Sequence, residues 1–129
     1  MLGNYKAYQQ QSIMTMTPGE ILTTLYDALI KELSLSKVAL EKKNYADANT
    51  HLQKSQKILT HLQVSLDFKY EISNNLDALY DYFNHVAVQA NIHKNADGLD
   101  DIIGMIAELR DVYIEAAKQQ TEGGKAESK

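Results

Sequence analysis

The chain has no cysteine and a single proline among its 129 residues. Without cysteine there are no disulfides and no thiolate metal sites, which suits a reducing compartment, so a cytoplasmic location is expected. No stretch approaches the roughly 20 consecutive apolar residues of a membrane span. The opening residues, "MLGNYKAYQQQ", lack the apolar run of a signal peptide, and neither secretion nor membrane insertion is expected. The net charge is −4, with Lys and Glu mixed along the chain and no basic cluster, so nucleic acid and anionic membrane are not expected as main partners. A glycine-rich phosphate loop, an activated nucleophile and a cofactor box are all missing, and neither an enzyme nor a bound cofactor is expected.

What is present is helical periodicity. The one proline stands in "TPGE", where Thr17 reads as an N-cap, Pro18 as the first helical position and Glu20 as the third, a capping box. Apolar residues then recur at Leu22, Leu25, Tyr26, Leu29, Ile30, Leu33 and Leu40, the spacing of an amphipathic helix over about 18–43. Lys42 and Lys43 suit its negative end, and Asn44 is expected as a left-handed cap. A second helix over about 45–67 carries the seam Ala48, Leu52, Ser55, Leu59, Leu62 and Leu66. "DFKYE" breaks the pattern. A third helix, about 72–94, carries Leu76, Leu79, Tyr80, Phe83, Val86, Ala87 and Ala90. After "KNADG", a fourth over about 97–119 carries Leu99, Ile102, Ile106, Leu109, Tyr113 and Ala116. Four such helices joined by short turns predict an all-α, antiparallel, up-down-up-down four-helix bundle over 17–120. Residues 1–16 precede it as a flap segment, and "TEGGKAESK" at 121–129, with no apolar anchor, is expected to be a disordered tail.

The triplet Leu-Tyr-Asp occurs twice, at 25–27 and 79–81. Sliding one helix pair 54 residues onto the other lays Tyr26 on Tyr80. Outside the triplet, only Leu22/Leu76 and Asp47/Asp101 then match, so a sequence repeat is not supported. Asp27 and Asp81 each follow a core tyrosine by one residue and turn about 100° away from it, onto outer faces. They are poor candidates for a paired acid–base site. The four histidines, His51, His61, His85 and His93, lack the Glu-x-x-His arrangement of a bundle metal site, and no metal is expected. "HLQKS" at 51–55 loosely resembles the His-x-x-Lys-Gly stretch of histidine phosphotransfer bundles, with Ser55 in place of the glycine. This leaves phosphotransfer at His51 as an alternative function.

The apolar residues left over by the core stripes carry more information. On the third helix, Tyr82, His85, Val88 and Ile92 project roughly opposite the core. His61, Val64 and Phe68 lie off the seam of the second, and Ile103, Ala107 and Ile114 widen the arc of the fourth. A contiguous second stripe marks a binding surface, read here as a groove that receives another helix. A weak structural homodimer burying the same stripe is the other reading. In the N-terminal segment, Tyr5 and Tyr8 fall on one face of a turn and suit a flap resting on the bundle.

Several blocks resemble the flagellin-specific export chaperone family FliS. They are "AY" at 7–8, "TPGEILTTLYDALI" at 17–30, "LDALYDYFNHVAVQAN" at 76–91 and "ELRDVYIEA" at 108–116. The likeness runs in order from about Tyr5 to Ala117. Where the family commonly has a Gly-Gly turn before the third helix, this chain has Lys69-Tyr70, and where an aromatic near the end is often Trp, it has Tyr113. The resemblance implies a four-helix bundle that binds the disordered C-terminal segment of flagellin, prevents its polymerisation in the cytoplasm and brings it to the flagellar type III export gate. It also implies an N-terminal segment that covers part of the site.

Overall fold

Thr17 starts the first helix as its N-cap: its side-chain oxygen accepts from the Glu20 N–H at 3.2 Å, and Pro18 fills the first turn, where a missing N–H costs nothing. The computed structural model describes residues 17–127, and side chains as far as 119. Tyr5 and Tyr8 lie outside the described residues. The helices are α1 (Pro18–Glu41), α2 (Tyr45–Val64), α3 (Ile72–His93) and α4 (Leu99–Glu127). No strand occurs among the described residues.

The helix ends differ from the sequence expectation at four places, each for a local reason. α1 stops at Glu41, and the left-handed residue after it is Lys43, φ 60°, not Asn44. Asn44 keeps a negative φ of −88° because it caps α2, accepting from Asp47 N–H at 3.3 Å and donating to the Asp47 carboxylate at 2.8 Å. α2 ends at Val64 rather than 67, because Asp67 organises the turn. Its carboxylate accepts from Lys69 N–H at 3.0 Å, and its carbonyl accepts from the Ser73 hydroxyl at 2.6 Å. These bonds shape the turn without glycine. α4 begins at Leu99 and not 97, since Gly98 holds φ 86°, where a Cβ would be strained and would also meet a Val86 methyl at 3.3 Å. At its far end α4 continues to Glu127, so the expected tail is helical over most of its length. The absence of an apolar anchor argued against packing. It did not argue against backbone helix, which adds one hydrogen bond per residue once nucleated and meets no proline here.

Consecutive helices are joined by short turns, and α1 also packs along α4, which closes the square of an all-α bundle. Of the four neighbouring pairs, α1–α2 packs most extensively and α3–α4 least. The core is the one the periodicity marks: Leu29, Leu33, Leu52, Leu59, Leu62, Phe83, Leu99, Ile102 and Ile106 are fully buried, with Tyr26 and Tyr80 among them. Ala116 is the exception, exposed near the end of the stripe on α4. The buried serines Ser36 and Ser55 donate to carbonyls one turn back, Glu32 and His51, at 2.8 and 3.0 Å. Among the described residues, no buried side-chain polar atom lacks a partner.

Candidate functional site

The repeated Leu-Tyr-Asp shows how the bundle is tied together. The hydroxyls of Tyr26 and Tyr80 hydrogen-bond each other at 2.6 Å across the diagonal of the bundle, fully buried. Burial, aided by the neighbouring phenol, pushes the Tyr26 hydroxyl far above the ordinary tyrosine range; burial raises Tyr80 as well. The two aspartates turn outward, as expected, and each reaches a different helix. Asp27 pairs with Arg110 of α4 at 3.0 Å. Asp81 accepts from the Gln63 amide of α2 at 2.7 Å, and Asp77 shares the same amide at 3.1 Å. They are not a carboxylate pair.

His51 is half-buried, and its Nδ1 lies 2.6 Å from the Glu32 carboxylate on α1. That contact makes it an interhelical brace rather than a free acceptor. No group of three or more metal-ligating side chains occurs among the described residues. No helix among them is long and apolar enough to cross a membrane.

The ten residues expected to form a second stripe are distributed over several surfaces. The flank of α3 that meets α2 is marked by Asp77 and Asp81 on Gln63 and by Asn91, which donates to Asn49 at 2.8 Å. Val88, three residues before Asn91 and seven after Asp81, shares that flank and is half-buried. His85 and Ile92 point outward and are exposed. Tyr82 leans the other way: it is exposed, and its ring centroid is 6.0 Å from that of Phe83. On α4, Asp100 and Arg110 mark the flank facing α1, through Lys37 at 2.8 Å and Asp27 at 3.0 Å. Ile103, Ala107 and Ile114 stand three or four residues from these and belong to the same flank. His61 and Val64 are exposed at the end of α2 and Phe68 in the turn after it, with Val64 80% exposed.

One open apolar groove does appear, of about 230 Å³, between α3 and α4 where their packing is thinnest. Its walls are Leu79 and Phe83 from α3 and Met105, Leu109 and Val112 from α4, with Glu108 as the charged member. Of the stripe expected from sequence, only Tyr82 borders this groove, through Phe83. Periodicity marks Leu79, Phe83 and Leu109 as core and does not single out Met105 and Val112. Their signal was the seven-residue interval from Met105 to Val112, which keeps both on one flank of α4, opposite the flank carrying Ile103 and Ile114. A second cavity, about 550 Å³, lies at the same end of the bundle, lined by Gly19, Tyr113, Ala116, Ala117 and Gln119. Both cavities therefore draw on α4, the groove on Met105–Val112 and the second on the stretch that follows it.

Comparison with known proteins agrees with this architecture. The profile of the family described as flagellar protein FliS matches residues 1–120. The flagellar secretion chaperone FliS of Bacillus subtilis (strain 168) is 34% identical over 116 residues, covering 90% of this chain and 87% of that protein. The flagellar secretion chaperone FliS of Vibrio cholerae is 29% identical over 119 residues, with 88% of each chain covered. A crystal structure of a bacterial flagellar chaperone superposes with a TM-score of 0.76 at 22% identity, covering 92% of this chain and 98% of that one, which supports the fold. This chain, an all-α bundle of chaperone and not enzyme type, belongs to the FliS family of flagellar secretion chaperones.

Proposed function

We propose that this chain holds the C-terminal segment of flagellin in the cytoplasm, lays an amphipathic helical piece of it in the α3–α4 groove, and presents it to the flagellar type III export gate. The observation that carries the reading is the groove itself: an apolar channel left open between the two least extensively packed neighbouring helices of the bundle. Met105 to Val112 spans two helical turns, about 10 Å, which suits the i, i+3/i+4, i+7 anchors of a partner helix. Tyr82 beside Phe83 supplies a half-exposed aromatic edge, and Glu108 favours a lysine or an amide over an acid at the partner's matching position. Binding is then coupled folding: the client loses chain entropy as it orders, and burial of apolar surface along the chaperone exceeds that cost. In this reading Tyr5 and Tyr8 belong to a cover that the client displaces.

Calorimetric titration with a synthetic peptide of the flagellin C-terminus, joined to circular dichroism of the mixture, tests the proposal. One-to-one binding with a gain of helix is expected. No heat and no helix at high peptide concentration would sink it. Sedimentation at several protein concentrations would then show whether the apolar surface closes on a second copy.

A further inference from the structure

The geometry points to Tyr26 as the positioning residue of the α3–α4 groove: a wedge from α1 that sets the separation of the groove's two walls. Its consequence for binding rests on the groove reading given above; its geometry does not.

α1 packs along α2 and α4, and α3 stands diagonally across the bundle from it. Tyr26 nevertheless reaches both wall helices. Its hydroxyl meets that of Tyr80 on α3 at 2.6 Å, with ring centroids 6.5 Å apart, and its ring lies 5.9 Å from that of Tyr113 on α4. The residues it touches neighbour those that line the groove. Tyr80 directly follows Leu79 and precedes Phe83 by three positions; Tyr113 directly follows Val112 and is four beyond Leu109. A fully buried ring thus stands in the core beneath the groove, in contact with both walls, at the least extensively packed helix pair of the bundle. With so little direct packing between α3 and α4, the size of what stands beneath them controls how far apart they rest. A tyrosine suits the place because its ring fills volume while its hydroxyl takes a fixed partner across the bundle. Burial raises the phenols of Tyr26, Tyr80 and Tyr113 alike, in keeping with a dry cluster.

The wedge can be separated from the hydrogen bond. The double variant Tyr26→Phe/Tyr80→Phe removes both hydroxyls and leaves both rings, so no buried donor is stranded. Tyr26→Leu/Tyr80→Phe lacks the same hydroxyls and also loses the ring at position 26. Met105 is the reporter, because the other methionines, Met1, Met14 and Met16, all precede α1. Carbon-13 methyl spectra and nuclear Overhauser contacts from Met105 to Leu79 and Phe83 read the groove directly. Titration with the flagellin peptide reads its use. The expected result is a Met105 resonance and contact pattern close to wild type in the ring-keeping variant. Losing the ring should shift the resonance, strengthen cross-groove contacts and weaken peptide binding tenfold or more, with binding by the ring-keeping variant within about threefold of wild type. Unchanged Met105 contacts in the folded ring-deleted variant would overturn the inference. If wild type binds no peptide, the functional reading fails, and the Met105 contacts still decide the wedge. If the ring-deleted protein does not fold, Tyr113→Leu removes the wedge's contact with α4 at a half-buried position, and the same shift in Met105 contacts is required.

Discussion

The α1–α2 and α3–α4 pairs are built from the same kinds of residue and end differently. Between α1 and α2, a three-residue turn brings leucine against leucine, and the Glu32–His51 contact at 2.6 Å braces the pair. Between α3 and α4, five apolar side chains and one glutamate line a channel of about 230 Å³ that the described residues do not fill. Residue type does not separate them, since leucine and large apolar side chains dominate both. Closure does. Where each apolar stripe finds a full partner stripe within the chain, the surface is spent on stability. Where the partner stripe is withheld, the same side chains stay open, and on the function proposed above they receive the client. The two pairs should therefore respond differently to substitution: the first in folding, the second in binding.

The largest effect is expected on the closed side. Leu33 is fully buried, and Leu33→Ala should remove about 3–4 kcal/mol of folding stability through lost transfer energy and a residual cavity. Urea unfolding measures it, and peptide affinity per folded molecule should stay near wild type. Alkaline pH attacks the same core by another route. The folded-state pKa values of Tyr26 and Tyr80 lie above the unfolded value of about 10, so the stability tied to them is complete below that pH. Above it, the unfolded chain loses protons that the folded chain keeps. Stability should then fall by up to about 1.4 kcal/mol per pH unit for each tyrosine. Denaturant midpoints between pH 9 and 11, compared with those of Tyr26→Phe/Tyr80→Phe, should show a steeper decline in wild type. On the open side, Val112→Asp places a charge in a groove wall that is 63% exposed, so stability should change by no more than about 0.5 kcal/mol. Peptide binding should weaken at least tenfold, about 1.4 kcal/mol, because the carboxylate would be desolvated beside Glu108. Equal losses of stability and binding in Val112→Asp would erase the contrast between the pairs.

How far this contrast could be read from sequence depends on the link considered. Which residues face inward follows from local periodicity, and Leu29, Leu52, Phe83 and Ile102 are buried as their spacing predicts. The bundle could be recognised on that basis, and the family only through blocks such as "TPGEILTTLYDALI" that resemble it. Helix ends were less legible where one residue had two uses. Asn44 is a good left-handed residue and a good N-cap, and the structure uses it as the cap. The groove was least legible. Periodicity identifies the flanks of α4 but not which neighbour packs loosely against each, so Ile103, Ala107 and Ile114 looked as eligible as Met105 and Val112. That choice is made by long-range packing: Arg110 on Asp27 and Asp100 on Lys37 turn the first set toward α1. The hydrogen bond joining Tyr26 to Tyr80 was likewise out of reach, because a repeated triplet shows a shared packing role without showing that the two side chains meet.

The smallest predicted effect sharpens the comparison most, because it separates exposed apolar surface from the groove. Ile92 is 64% exposed, much like Val112, and lies on the outward face of α3, away from the groove walls. If exposure alone made a binding residue, the two would matter equally. Single exposed apolar side chains are ordinary on folded proteins, and removing one changes little unless it borders a shared channel. Ile92→Ser should therefore leave stability and peptide binding each within about 0.5 kcal/mol of wild type, by urea unfolding and titration calorimetry. A loss in Ile92→Ser as large as that in Val112→Asp would mean that the client runs along the outer face of α3 as well. The open surface would then be a belt around the α3 side of the bundle, and the thin packing of α3 against α4 would be only one stretch of it.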